Sequence, residues 1–209
     1  MKITSLKKYK GLTYEAELDY ERKIYLHADI IVDFGLREDD EIDRDKLREI
    51  IWASNFRRAY QRALYLLDYR DYSRAEMYKK LLDNYKSERL CTAVADKLER
   101  NGIIDDERYA EKLAVKYVSV RKFGYRRAKR EMMMKGIGQF TADDALEPYS
   151  GQFEENLMTL LETKHARNLT DPGDRKAVER VKASLARYGY SFDEINRCIK
   201  EYSENNLED

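Results

Sequence analysis

Two prolines, nine glycines, two cysteines and two histidines are all that the 209 residues contain of these types, and each scarcity excludes a class of protein. So few turn-formers cannot serve the many tight turns of an all-β chain, so long helices with few connections are favoured. Cys91 and Cys198 lie far apart without a CxxC partner; a disulfide framework and a zinc site are both unsupported, and two buried small hydrophobes are expected instead. His27 and His165 have no cysteine or paired acid at ligand spacing. The P-loop, the dinucleotide glycines, the GxSxG elbow and the HExxH pair are all missing, so neither an enzyme nor a metal or cofactor is expected. No stretch approaches the roughly 18 apolar residues of a membrane span. The opening MKITSLKKYK puts charge where a signal peptide needs an apolar run, which predicts a soluble, cytoplasmic protein with no membrane partner.

An excess of charge of either sign is also lacking, since 40 Lys and Arg balance 40 Asp and Glu. A simple polycation that coats nucleic acid is therefore excluded, and any phosphate binding must come from local clusters. What the chain does have is 43% hydrophobic residues and 17 tyrosines, enough apolar surface to argue against disorder.

The first 40 or so residues differ in texture from the rest. Ile3 to Lys8, Leu12 to Leu18 and Lys23 to Leu26 are short and rich in Tyr, Thr, Ile and Leu, with breaks at Lys10-Gly11 and Asp19 to Arg22; they predict a small antiparallel sheet. Ala28 to Phe34 reads as a short helix stopped by Gly35, and LREDDEID as a solvated boundary. From Asp43 the period becomes helical, with Leu47, Ile50, Ile51, Ala59, Tyr60, Ala63, Leu64 and Leu67 on one face. Ser73 to Glu76 and Ser191 to Glu194 have the capping-box form of helix starts. Asp105 and Asp106 precede an apolar series and favour capping over catalysis. Asp39-Asp40-Glu41 and Asp143-Asp144 read as a linker and a helix start rather than cation sites.

Internal repetition gives the organisation. Leu81, Met132 and Leu185 align at separations of 132 − 81 = 51 and 185 − 132 = 53. Met77, Ala128 and Val181 stand four positions upstream. Turns follow at Lys135-Gly136-Ile137 and Tyr188-Gly189-Tyr190, while Tyr85-Lys86 in the first copy lacks the glycine. Beyond them, Ala142, Ala145, Leu146 and Tyr149 match Ile195, Cys198, Ile199 and Tyr202. The expected fold is mainly α: tandem three-helix repeats forming an elongated curved array, preceded by a small N-terminal antiparallel β segment. The expected boundaries are 1–42 for the β-rich segment with its short helix, 43–103, 104–150 and 151–209 for the repeats, the last with an acidic tail.

The charges are segregated. Residues 121–135 hold Arg121, Lys122, Arg126, Arg127, Lys129, Arg130 and Lys135 against Glu131 alone. On a helix from Tyr125, Arg126, Lys129 and Arg130 share one side while Ala128, Met132 and, roughly, Met133 face the core; all three methionines, Met132 to Met134, read as gap-filling core. Smaller clusters are Arg57, Arg58, Arg62 and Arg70 on the first long helix and Arg175, Lys176, Arg180 and Lys182 in the last repeat. Basic second helices stacked in parallel would line a surface suited to a negatively charged polymer.

The segment LERNGIIDDERYAEKLAVKYVSVRKFGYRRAKREMMMKGI, Leu98 to Ile137, resembles the RecX family of bacterial recombination regulators. The resemblance rests on the leucine with its glycine-isoleucine turn, Asp105-Asp106 leading to Tyr109-Ala110, Gly124 with its basic helix, and Lys135-Gly136-Ile137. It extends less sharply over about residues 45 to 203, with YSRAEMYKKLL similar to the family's first repeat; Met132 stands where the family usually has leucine. The resemblance implies a non-enzymatic regulatory protein of DNA repair, homologous recombination and the SOS response. Such a RecA inhibitor lodges in the groove of the RecA–DNA filament and hinders strand exchange, ATP hydrolysis and co-protease function. The residues expected to contact RecA or DNA are Arg121, Lys122, Arg126, Arg127, Lys129, Arg130, Lys135, Arg57, Arg58, Arg62, Arg175 and Lys176. The alternative from the residues themselves is a helix-turn-helix-like regulator that binds single- or double-stranded DNA directly. A monomer is expected in either case.

Overall fold

The structure, a computed structural model, describes residues 1–169 and 174–205; the tail at 206–209, expected to be acidic, lies outside them. The chain forms two compact units, one of residues 1–70 and 78–98, the other of residues 71–77 and 99–209.

The first unit opens with β1 (Ile3–Lys10), β2 (Thr13–Leu18) and β3 (Arg22–His27), a meander in the order β1-β2-β3 with both pairs antiparallel. Asp19 and Tyr20 in the second hairpin both have positive φ (51° and 61°), as a tight turn matched to strand twist requires. Helix α1 (Ala28–Asp33) follows and ends at Phe34, with Gly35 at φ 60°. Ile3, Ala16, Leu18, Leu26, Ile30 and Leu47 join one buried cluster. Two residues of the acidic boundary belong to it as well. Leu36 and Ile42 are buried, and Asp39 and Asp40 exchange backbone hydrogen bonds with Ile3, so this segment is an edge of the sheet as well as a linker. Asp43 caps α2 (Arg44–Leu67), accepting from Lys46 N. Along α2, Leu47, Ile50, Ala59 and Ala63 are buried, and so is Ser54.

Helices α3 (Arg74–Tyr85) and α4 (Glu88–Arg100) complete the first trio. Lys86 supplies the left-handed residue between them (φ 53°) that a glycine supplies in the later copies. The second unit holds α5 (Asp106–Ala114), α6 (Tyr125–Met134) and α7 (Gln139–Leu146), then α8 (Gln152–Leu160), α9 (Arg175–Tyr188) and α10 (Phe192–Asn205). The aligned residues carry the expected weight: Met77, Leu81, Ala128, Met132 and Leu185 are fully buried and Val181 nearly so.

Both first helices of this unit end in a π-helical turn, Val115–Val120 after α5 and Leu161–His165 after α8. The wider turn loosens the hydrogen-bond ladder. The buried amide of Asn156 donates to Val118 O (3.0 Å) and accepts from Lys122 Nζ (3.2 Å). Side chains reinforce several helix starts. Ser191 and Glu194 close a reciprocal capping box, and Asp106, besides following the N-cap Asp105, accepts from Arg74 N, the first residue of α3. Asp143 and Asp144 stand in the second half of α7, whose N-cap is Gly138, so the expected helix start there is corrected. The N-terminal half of that helix begins at Gln139, where the chain leaves the glycine turn.

Candidate anion-binding interface

The basic stretch folds as expected around Gly124, but its side chains divide into two kinds. Gly124 N donates to Tyr188 O (2.9 Å), and Tyr190 Oη donates to Lys122 O (3.0 Å). A Cβ on Gly124 would stand 2.7 Å from Gly189 C, and one on Gly189 2.6 Å from Arg127 N, at φ 98°. Only glycine allows this backbone approach. It fixes the start of α6 against the end of α9, and with it the arginines on both.

Several of the expected contact residues are engaged inside the protein. Lys129 forms an ion pair with Asp143 (2.6 Å); the Asp143 hydrogen bond raises the Lys129 ammonium above its ordinary pKa, and Lys129 with Tyr125 holds the Asp143 carboxyl below its own. Lys135 pairs with Glu76 (3.2 Å), and Lys122 reaches Asn156. Arg57 is tied to Asp29 and half-buried, and Arg58 donates to Asn55 (3.1 Å). Arg62 lies over the Tyr65 ring. Arg127 lies over the Phe123 ring (3.9 Å), donates to Arg187 O (2.9 Å) and pairs with Glu131.

Arg121, Arg126 and Arg130 are exposed, and their side chains make no ion pair among the described residues. Arg126 and Arg130 stand one turn apart on α6 and, with Arg127 and Arg187, line a shallow depression of about 690 Å³ floored by Ala186, Gly189 and Tyr190. Phe192 forms its edge and is 62% exposed. Arg187 is not among the expected contacts; it lies 60 residues from Arg127 in sequence, and the repeat alignment, which pairs α6 with α9 as equivalent elements, gives no sign that the end of α9 stands beside the start of α6. Arg175 and Lys176 lie elsewhere, around a separate open depression at the start of α9 with Glu179 and Arg180, roughly 18 Å along the helix from Arg187.

The methionine run is corrected. Met132 is core, whereas Met133 is 46% and Met134 75% exposed, because consecutive helix positions are 100° apart and cannot all face inward. Among the described residues, no group of three or more His, Cys, Asp or Glu could hold a metal ion, and no helix is long and apolar enough to cross a membrane.

Over nearly its whole length the chain is similar to the regulatory protein RecX of Clostridium acetobutylicum, with 30% identity over 212 residues that span 98% of this chain and 97% of that relative. The chain belongs to the RecX family. The family models described as the first and second three-helix domains of RecX match residues 59–98 and 105–146. The regulatory protein RecX of Lactococcus lactis subsp. cremoris strain SK11 is 30% identical over 91% of this chain and 72% of its own length. A crystal structure of RecX from Lactobacillus salivarius matches with a TM-score of 0.64 at 29% identity, covering 71% of this chain and 97% of that one. A second RecX crystal structure shares the fold across 96% of this chain and 98% of that one, with a TM-score of 0.74 at 24% identity. The mainly α fold of three-helix units behind an N-terminal antiparallel sheet is therefore that of RecX regulatory proteins.

Proposed function

We propose that the protein is a non-enzymatic inhibitor of the RecA recombinase that lodges in the groove of the RecA–DNA filament and limits its ATP hydrolysis, strand exchange and co-protease function. The observation that carries this reading is the arginine depression. Arg126, Arg130 and Arg187 have no ion-pair partner among the described residues, in a protein that neutralises other cations of the same stretch internally, and a fixed group of guanidinium forks suits carboxylates or phosphates. Arg121, exposed at the end of the π turn on the same unit, is a further cation without an ion pair among the described residues. The relatives are named regulatory proteins, in keeping with binding rather than catalysis. Titrating the protein into RecA's DNA-dependent ATPase is the test: inhibition near stoichiometric amounts is expected, and none at that ratio rejects the reading.

Direct binding to single-stranded DNA is a second reading, favoured by exposed Phe192 beside the arginines, since an aromatic face next to cations suits a stacked base. It expects tight binding without RecA that weakens with salt by roughly 0.7 per phosphate contact in log–log slope. Weak binding with a shallow slope counts against it.

A further inference from the structure

Tyr190 also lines a second depression, and this one has the opposite sign. Leu146, Phe153, Leu157 and Tyr190 form its apolar floor, all buried, with Tyr125 set edge-on to Phe153 (6.0 Å). Three carboxylates, Glu147, Glu154 and Glu194, surround the mouth against a single cation among the lining residues, Arg197. Glu194 spends one oxygen on the Ser191 capping box, while Glu147 and Glu154 have no ion-pair partner among the described residues. The cavity is about 300 Å³, at the small end of ligand pockets and on the scale of one long side chain.

We infer that this pocket seats a lysine or arginine side chain of the protein component of the filament. The inference rests on the function proposed above. An apolar, aromatic-walled floor takes the aliphatic stem of such a residue, and the ring faces and carboxylates take its charged head. Bare nucleic acid is repelled here, because it carries one sign of charge only. A protein surface can offer an acidic group to Arg126 and Arg130 and a basic one to Glu147 and Glu154, in two depressions that share Tyr190 in their linings. The pair of depressions thus reads both signs of a protein partner and discriminates it from DNA alone.

The test compares the full-length protein with Glu147→Gln/Glu154→Gln, and in parallel with Arg126→Ala/Arg130→Ala, for binding to RecA–single-stranded-DNA filaments and to bare single strands. All four substitutions are on exposed positions, and circular dichroism checks the folding of each variant. The double-Gln protein is expected to bind filaments about tenfold more weakly while binding bare DNA as well as the parent or better. Filament affinity within twofold of the parent overturns the inference. A photo-crosslinker in place of Ser150, at the rim, is expected to react with a RecA peptide containing Lys or Arg; reaction with DNA alone also overturns it. If the parent protein fails to bind filaments at all, the proposed function falls, an outcome separate from loss of discrimination by the Gln variant.

Discussion

Asp106 and Asp143 show how differently two carboxylates of one unit are used. Asp106 is half-buried, and burial raises its pKa against the backbone hydrogen bond from Arg74 that lowers it. Asp106→Asn keeps an acceptor and removes a buried charge, so we expect it to be nearly neutral in thermal melts, whereas Asp106→Ala leaves the Arg74 N–H at the start of α3 without its acceptor and costs about 1 kcal/mol. Asp143 is held by Lys129 first and Tyr125 second, which lowers its pKa. That stabilisation is fully present above the ordinary carboxyl value of 3.8 and is lost as pH falls through the lowered value in the folded protein. The gap in melting temperature between the parent and Asp143→Asn should therefore be open at pH 6 and close towards pH 2. Two isolated cysteines in the sequence were enough to expect two buried thiols. Both are buried, and burial raises Cys91 and pushes Cys198 up to about 11, so thiol reagents at pH 8 should modify the native protein slowly and the unfolded protein fully. The sequence could not separate the free arginines from the engaged lysines. The partner of Lys135 is 59 residues away and that of Lys122 34, and composition within a fifteen-residue window carries no information about either.

At the scale of the elements, periodicity made the sheet, the long helix and the repeated core positions legible, because burial at spacing two or at three-and-four leaves its mark on the residue types themselves. The π turns left no such mark. Val115–Val120 keeps an ordinary helical pattern and differs only in hydrogen bonding, and the clue to it, buried Asn156, lies in another helix. Replacing Asn156 by Leu should cost about 1–3 kcal/mol, since it removes a buried donor to Val118 O and the acceptor of Lys122 Nζ; the loss is measured by denaturant unfolding. Glycine was legible as a turn former but not as a contact. A Cβ added to Gly102 (φ 65°) would meet nothing within 4 Å, while one added to Gly189 (φ 98°) would meet the Arg127 backbone. Gly102→Ala is expected to cost about 1 kcal/mol from the left-handed conformation alone. Gly189→Ala adds a clash with backbone and should cost about 3 kcal/mol or more, enough to disturb the arginine depression as well.

For the whole molecule, the proposed inhibition rests on Arg126, Arg130 and Arg187 of the depression rather than on all twelve basic residues expected to contact RecA or DNA. Arg126→Glu/Arg130→Glu should abolish inhibition of RecA's ATPase with helix content unchanged, whereas Lys129→Ala should lower the melting temperature and leave inhibition close to the parent's. A balanced total charge concealed this arrangement, in which an arginine depression and a glutamate pocket share one tyrosine of their linings. The same juxtaposition bears on how the protein behaves in a tube. With a neutral total and an isoelectric point near 6.8, molecules have no overall repulsion to hold them apart, and the positive depression of one copy faces no barrier to the negative pocket of another. Light scattering should then register transient head-to-tail association in dilute buffer that dissolves as added salt shortens the reach of the charges to about 10 Å or less.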